Sequence, residues 1–170
     1  MRLRRSTVAE VLGRRDVADD SGGAIVEFVA VTLLLLVPVV YLVVTVARIQ
    51  AGLFAAEAAS YEAARASVVE GVWQLDNGAS RSAAMDSGLA RARAVTAVTA
   101  EDFGFDTSDA VVVLTCAPAQ CLSFGSNIEA TVEVHVPLPG VPGFVGRLVP
   151  LEVTVAAAAR APVDGLADDS

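Results

Sequence analysis

The chain contains no lysine: its 12 basic residues are all arginine, and 20 acidic residues outnumber them. A formal charge of −8 excludes the cationic face with which a nucleic-acid binder displaces counterions. One His and two Cys are too few for a structural zinc site, which takes four soft ligands. His135 has no Ser, Cys or ligand cluster near it in sequence, and Glu101, Asp102, Asp106 and Asp109 lack the spacing and glycine of a calcium loop. Gly140, Gly143 and Gly146 are not a phosphate loop, because no Lys follows them, so any ATP-driven step belongs to a partner. Aromatic residues make up only 5%, which fits a modest domain packed from Ala and Val rather than a large enzyme cleft. These shortages predict a protein that is not an enzyme and needs neither metal nor cofactor.

What is present in excess is apolar surface. At 54% hydrophobic residues and a mean hydropathy of +0.58, the chain is too apolar for an ordinary soluble domain. The excess sits in residues 24–47, AIVEFVAVTLLLLVPVVYLVVTVA, where Glu27 is the one charge. As a helix this stretch is about 36 Å long, enough to cross a hydrocarbon core of about 30 Å. It lacks the polar stripe of a soluble core helix. Pro38 frees the carbonyl of Leu34 and predicts a mild kink. A cleaved secretory signal is the competing reading, but its apolar region is roughly 7–15 residues long and ends in a small-x-small site. Thr45-Val46-Ala47 matches that site poorly, and Arg14-Arg15 is followed by DVADD, acidic where an export signal turns apolar. Arg2, Arg4, Arg5, Arg14 and Arg15 crowd the short amino-terminal flank, which keeps that flank cytoplasmic and sends the long carboxyl part outside.

The leader, residues 1–23, ends in Gly22-Gly23, and the span opens with Ala24-Ile25-Val26-Glu27-Phe28. A carboxylate at this depth either snorkels to the interface or meets an opposite charge in low dielectric. Cleavage after Gly22 would make Gly23 the new terminus and Glu27 its fifth residue, a spacing that resembles the processing signal of type IV prepilins. With GGAIVEFVAVTLLLLVPVV, the later AAEAASYEAARASVV and a β-rich tail, the chain from Gly22 to Val163 resembles the TadE-like family. These are minor pilins or pseudopilins of the tight-adherence (Flp) pilus. The resemblance implies a leader cut at Gly22 or Gly23 by a prepilin peptidase, and Glu27 and Phe28 serving subunit assembly. It also implies an exported α+β domain, with the bilayer, other pilins and pilus assembly proteins as partners. The alternative is a single-pass anchor presenting a binding domain, without processing or filament.

Beyond the span, residues 48–107 read as two helices. The first continues to about Val69, with Gly71 as its stop. Ala51, Ala55, Ala59 and Ala63 form one row of small residues at i, i+4 spacing, and Gly52, Ala56, Ser60 and Ala64 form another. Such rows admit a close helix neighbour, either another subunit or the protein's own second helix. Glu62 and Arg65 are placed for a surface ion pair, and Trp73 for a core anchor. The second helix is expected from about Ala79 to Ala100, after Asp76-Asn77-Gly78, with Ala84, Leu89, Ala92, Val95 and Val98 as its apolar stripe.

Residues 108–163 read as an antiparallel sheet of three or more strands with helices against one face, an α+β architecture. Residues 110–116 are a continuous apolar run. Residues 128–136 alternate, with Ile128, Ala130, Val132, Val134 and Val136 on one side and Glu129, Thr131, Glu133 and His135 on the other. Residues 151–163 alternate too, placing Leu151, Val153, Val155, Ala157 and Ala159 inward. Cys116 and Cys121 flank a turn at a spacing that is not a redox C-x-x-C, and outside the cytoplasm they are expected to form a disulfide clamping the hairpin. Val141, Phe144, Val145, Leu148 and Val149, in the apolar connection 137–150, form either a docking surface or a cap on the core. Residues 164–170 form a charged, frayed tail.

Overall fold

The computed structural model describes residues 20–117, 120–138 and 152–164. The leader before Asp20, the apolar connection containing Val141 to Val149, Leu151 and the acidic tail lie outside these residues. Two helices, α1 (Asp20–Asp76) and α2 (Arg81–Asp102), precede a short 3₁₀ turn (Thr107–Asp109) and three strands: β1 (Ala110–Ala117), β2 (Asn127–Pro137) and β3 (Glu152–Pro162). The fold is α+β, as expected from the switch in periodicity. The chain divides into two compact units, residues 1–42 and 43–170.

The first unit contributes the apolar part of α1, which stays helical through Pro38. The second unit is a two-layer structure. Its strands form an antiparallel meander in the order β1-β2-β3, with Val112 opposite Val132 and Glu129 opposite Arg160. β2 is central, so its inward row Ile128, Ala130, Val132, Val134 and Val136 is fully buried. The inward rows of the two edge strands are buried less completely. β1 alternates as well: Val112 is buried, whereas Val111 and Val113 face outward.

Small residues let the helices reach this sheet. Ala55, Ala56, Ala59, Ser60, Ala63 and Ala64 are at most 2% exposed and receive the valines of β2. A Cβ on Gly52 would collide with a methyl of Val136. Ala51 packs at the margin of the same core. The small rows are thus filled within the protein, by its sheet and by α2.

Helix α2 departs from its expected stripe. Its buried residues are Ala84, Gly88, Ala92, Thr96 and Ala100, a row at strict i, i+4 spacing. Val98 is exposed, and Leu89 and Val95 are half-buried. The reason is steric: a Cβ on Gly88 would lie 2.8 Å from the Ser67 carbonyl oxygen, a distance that admits no larger side chain where the two helix backbones meet. Gly71 also departs from expectation. It is buried inside α1, where a Cβ would meet the Leu122 side chain at 2.6 Å.

The stop comes at Gly78 instead. Its φ of +83° lets the chain close the helix, and its N–H donates to the Leu75 carbonyl at 2.9 Å. Ser80 then caps α2, its hydroxyl accepting from the Ala83 N–H. Trp73 is 58% exposed, not a core anchor, because it lies far round the helix from the buried Gly71. Nor do Glu62 and Arg65 pair: among the described residues the arginine–carboxylate pair is Arg160–Glu129, and His135 lies 3.9 Å from Glu152.

The α1–α2 contact predicts a cost for one methyl group. Gly88→Ala gains about 1 kcal/mol of helix propensity but overpacks against backbone that cannot move aside, so a net loss of about 1–2 kcal/mol is expected. Chemical denaturation of the detergent-solubilised full chain, followed by near-ultraviolet circular dichroism, measures it. A variant as stable as the parent would show that the helices separate freely.

Candidate membrane-assembly site

The apolar helix carries the first group of candidate residues. Its most apolar 18-residue window has a mean hydropathy of 2.8 and none of its residues is buried. Leu34 is 74% exposed, and Ile25, Val26, Leu35 and Leu42 are all more than 60% exposed. Uncovered aliphatic side chains on this scale need an apolar solvent, and one helix near the amino terminus is long and apolar enough to cross a bilayer. This helix is a candidate membrane span.

Gly22, Gly23, Glu27 and Phe28 all lie on α1. Gly23 and Glu27 are four residues apart, which stacks them on one face a single turn apart. Phe28 is 71% exposed beside them. Glu27 is exposed and has no hydrogen-bonding or ionic partner among the described residues. In hydrocarbon such a carboxylate costs about 2.5–3.5 kcal/mol, a cost removed by reaching the interface or by a cation brought from another chain.

The second candidate group is the cysteine pair. Cys116 and Cys121 form a disulfide with a Cα–Cα distance of 5.3 Å. The expected clamp across the hairpin takes a different form. Cys116 lies on β1 opposite Ile128, whereas Cys121 precedes β2 by several residues, so the bridge folds the connection back onto β1 rather than joining two strands. What it positions is Leu122. This residue has φ +57°, a left-handed conformation that costs a leucine about 1–2 kcal/mol, and it is only 5% exposed. Its side chain fills the place where Gly71 has none, within a second apolar cluster that includes Ala84, Ile128 and Val163. Arg81 ties the same loop to the start of α2 by donating to the Cys121 carbonyl at 3.1 Å.

His135 and Asp109 make local contacts. His135 Nδ1 lies 3.1 Å from the Thr154 hydroxyl and 3.9 Å from Glu152, a cross-strand cluster on the outer face of the sheet. Asp109 accepts the backbone N–H of Asp106 at 3.2 Å and closes the 3₁₀ turn. Sequence reasoning missed Gly71 and Leu122, which only the folded contact connects. Of the buried row of α2, the expected stripe holds Ala84 and Ala92 and lacks Gly88, Thr96 and Ala100, which are smaller or more polar than the Leu89, Val95 and Val98 expected beside them.

Leu122 therefore should matter more than its bridge. Leu122→Ala is expected to cost about 2–4 kcal/mol, since it empties a buried site against Gly71. Replacing both cysteines by serine should cost about 2 kcal/mol, the small value appropriate to a short loop. Denaturation midpoints of the two variants in the same detergent rank them, and the reverse order would assign the anchoring to the bridge itself. Comparison of the chain with family models, with curated proteins and with solved structures finds no match.

Proposed function

We propose that the protein is a membrane-anchored, non-catalytic structural component of a tight-adherence pilus, a TadE-like minor pilin or pseudopilin. In this reading the apolar part of α1 holds the chain in the cell membrane as a single pass. The basic leader lies in the cytoplasm and the α+β unit outside. Other pilins and pilus assembly proteins pack against the anchored helix. The observation that carries the reading is Glu27, without an ionic partner among the described residues and one turn beyond Gly23 in the exposed apolar part of α1. Cleavage after Gly22 would create an ammonium group at Gly23, the charge that a neighbouring subunit's Glu27 lacks. Two such charges meeting in low dielectric hold register as well as position, because breaking the pair strands both. The Cys116–Cys121 disulfide supports an extracytoplasmic location for the folded unit, where oxidised cysteines persist.

A single-pass anchor without processing is the second reading, and one observation favours it. α1 is helical from Asp20 through Gly22-Gly23, whereas a protease takes its substrate as an open strand. Mass spectrometry of protein extracted from its native membrane separates the two. Processing gives a chain lacking residues 1–22, and Glu27→Leu then leaves membrane insertion intact while pull-down of other pilins falls at least tenfold. An intact mass that includes Met1 overturns the pilin reading in favour of the plain anchor.

A further inference from the structure

We propose that the outer edge of β3 receives an extended strand from a partner polypeptide, apolar on one face and acidic on the other. Among the described residues β3 is paired only on its β2 side. Its inward row, from Val153 to Ala161, is half-buried along its whole length, although the matching row of β2 is sealed. An added strand would supply the missing lateral cover and use the backbone groups that the edge leaves open. Within β3 itself little repels a newcomer: Ala156 and Ala158 are small, and no charge or proline stands between Thr154 and Arg160.

Charge and shape define the occupant. Arg160 contacts Glu129 through Nε, yet its side chain is 73% exposed, leaving the other guanidinium donors available. Arg65 stands outside every ion pair among the described residues and shares with Arg160 a groove of about 280 Å³ that also takes in Tyr61, Val69 and Pro162. The carboxyl-terminal end of the edge is therefore cationic above an apolar floor. β2 already shows what fits β3: it sets Glu129 opposite Arg160, Val132 opposite Ala157 and Val134 opposite Val155. A strand of the same pattern, laid antiparallel on the other side, again brings its acidic residue to Arg160 and lowers its first aliphatic side chain towards the groove. Pairing of β3 with a second β3 also opposes Glu152 to Arg160, but it meets alanine with alanine at the centre and buries little more than methyl groups. The inference concerns the folded unit and does not depend on the pilus reading.

The probe is a synthetic peptide with the sequence of β2, Asn127–Pro137, added to the full-length protein in detergent and followed by fluorescence anisotropy and amide hydrogen exchange. Saturable binding with slowed exchange across β3, and unchanged exchange in β1, is the expected result. The peptide carrying Gln at the position of Glu129 should bind about tenfold more weakly, and Arg160→Ser in the protein should cost a similar factor that Arg160→Lys partly restores. The peptide variant leaves the protein's own folding untouched, so a loss there reports the contact alone. Equal binding of a scrambled peptide, protection of β1 instead of β3, or loss of protection in β2 through strand exchange each overturns the proposal. Dimerisation of the full chain without peptide, blocked by Arg160→Ser, would overturn it in favour of a second copy as occupant.

Discussion

The valines of β2 and the alanines of α1 share one buried core, and the folded unit depends on that close approach. With only a Cβ on the helix side, backbone and sheet approach closely enough for Val132, Val134 and Val136 to be sealed completely. Larger residues on either side would push the layers apart and open the core to water. The same economy of volume recurs between the helices, where Gly88 lies against the Ser67 carbonyl, and at the loop, where Gly71 accepts Leu122. The small rows act as the receiving surface for three elements in turn.

This arrangement gives α1 two different surroundings along its length. In its first part, the aliphatic side chains are exposed among the described residues, and a bilayer is the solvent that suits them. In the part from Gly52 to Gly71, one side of the helix is the floor of the β domain, while Phe54, Tyr61 and Val69 remain on the other. The disulfide reinforces the far end of that floor. It holds the β1–β2 connection so that Leu122, in a backbone conformation unfavourable for a leucine, reaches the groove above Gly71.

Much of this was legible in the sequence, for reasons that differ by element. Strand β2 was clear because the period-2 alternation of Ile128 to Val136 admits one exposed and one buried face. The apolar helix was clear because no polar stripe interrupts it. The rows on α1 were visible as spacing, but spacing alone does not name the neighbour: the same small surface serves a sheet, a second helix or another subunit. The stripe on α2 was misjudged because apolarity ranks Val98 above Thr96, whereas close approach ranks residues by size. Trp73 was misplaced for a related reason, since its chemistry favours burial but its angular position on α1 points away from the core.

The sequence by itself determined which segments are helix or strand, which stretch prefers lipid, and that Glu27 lies one turn beyond Gly23, because these follow from periodicity and side-chain chemistry along a few consecutive residues. Only the tertiary structure decided that Gly71 belongs to Leu122 rather than to a helix end, that the disulfide folds a loop back onto β1, and that β3 is paired on one side alone among the described residues. Those outcomes depend on which distant backbones come within contact distance, and no local pattern carries that information.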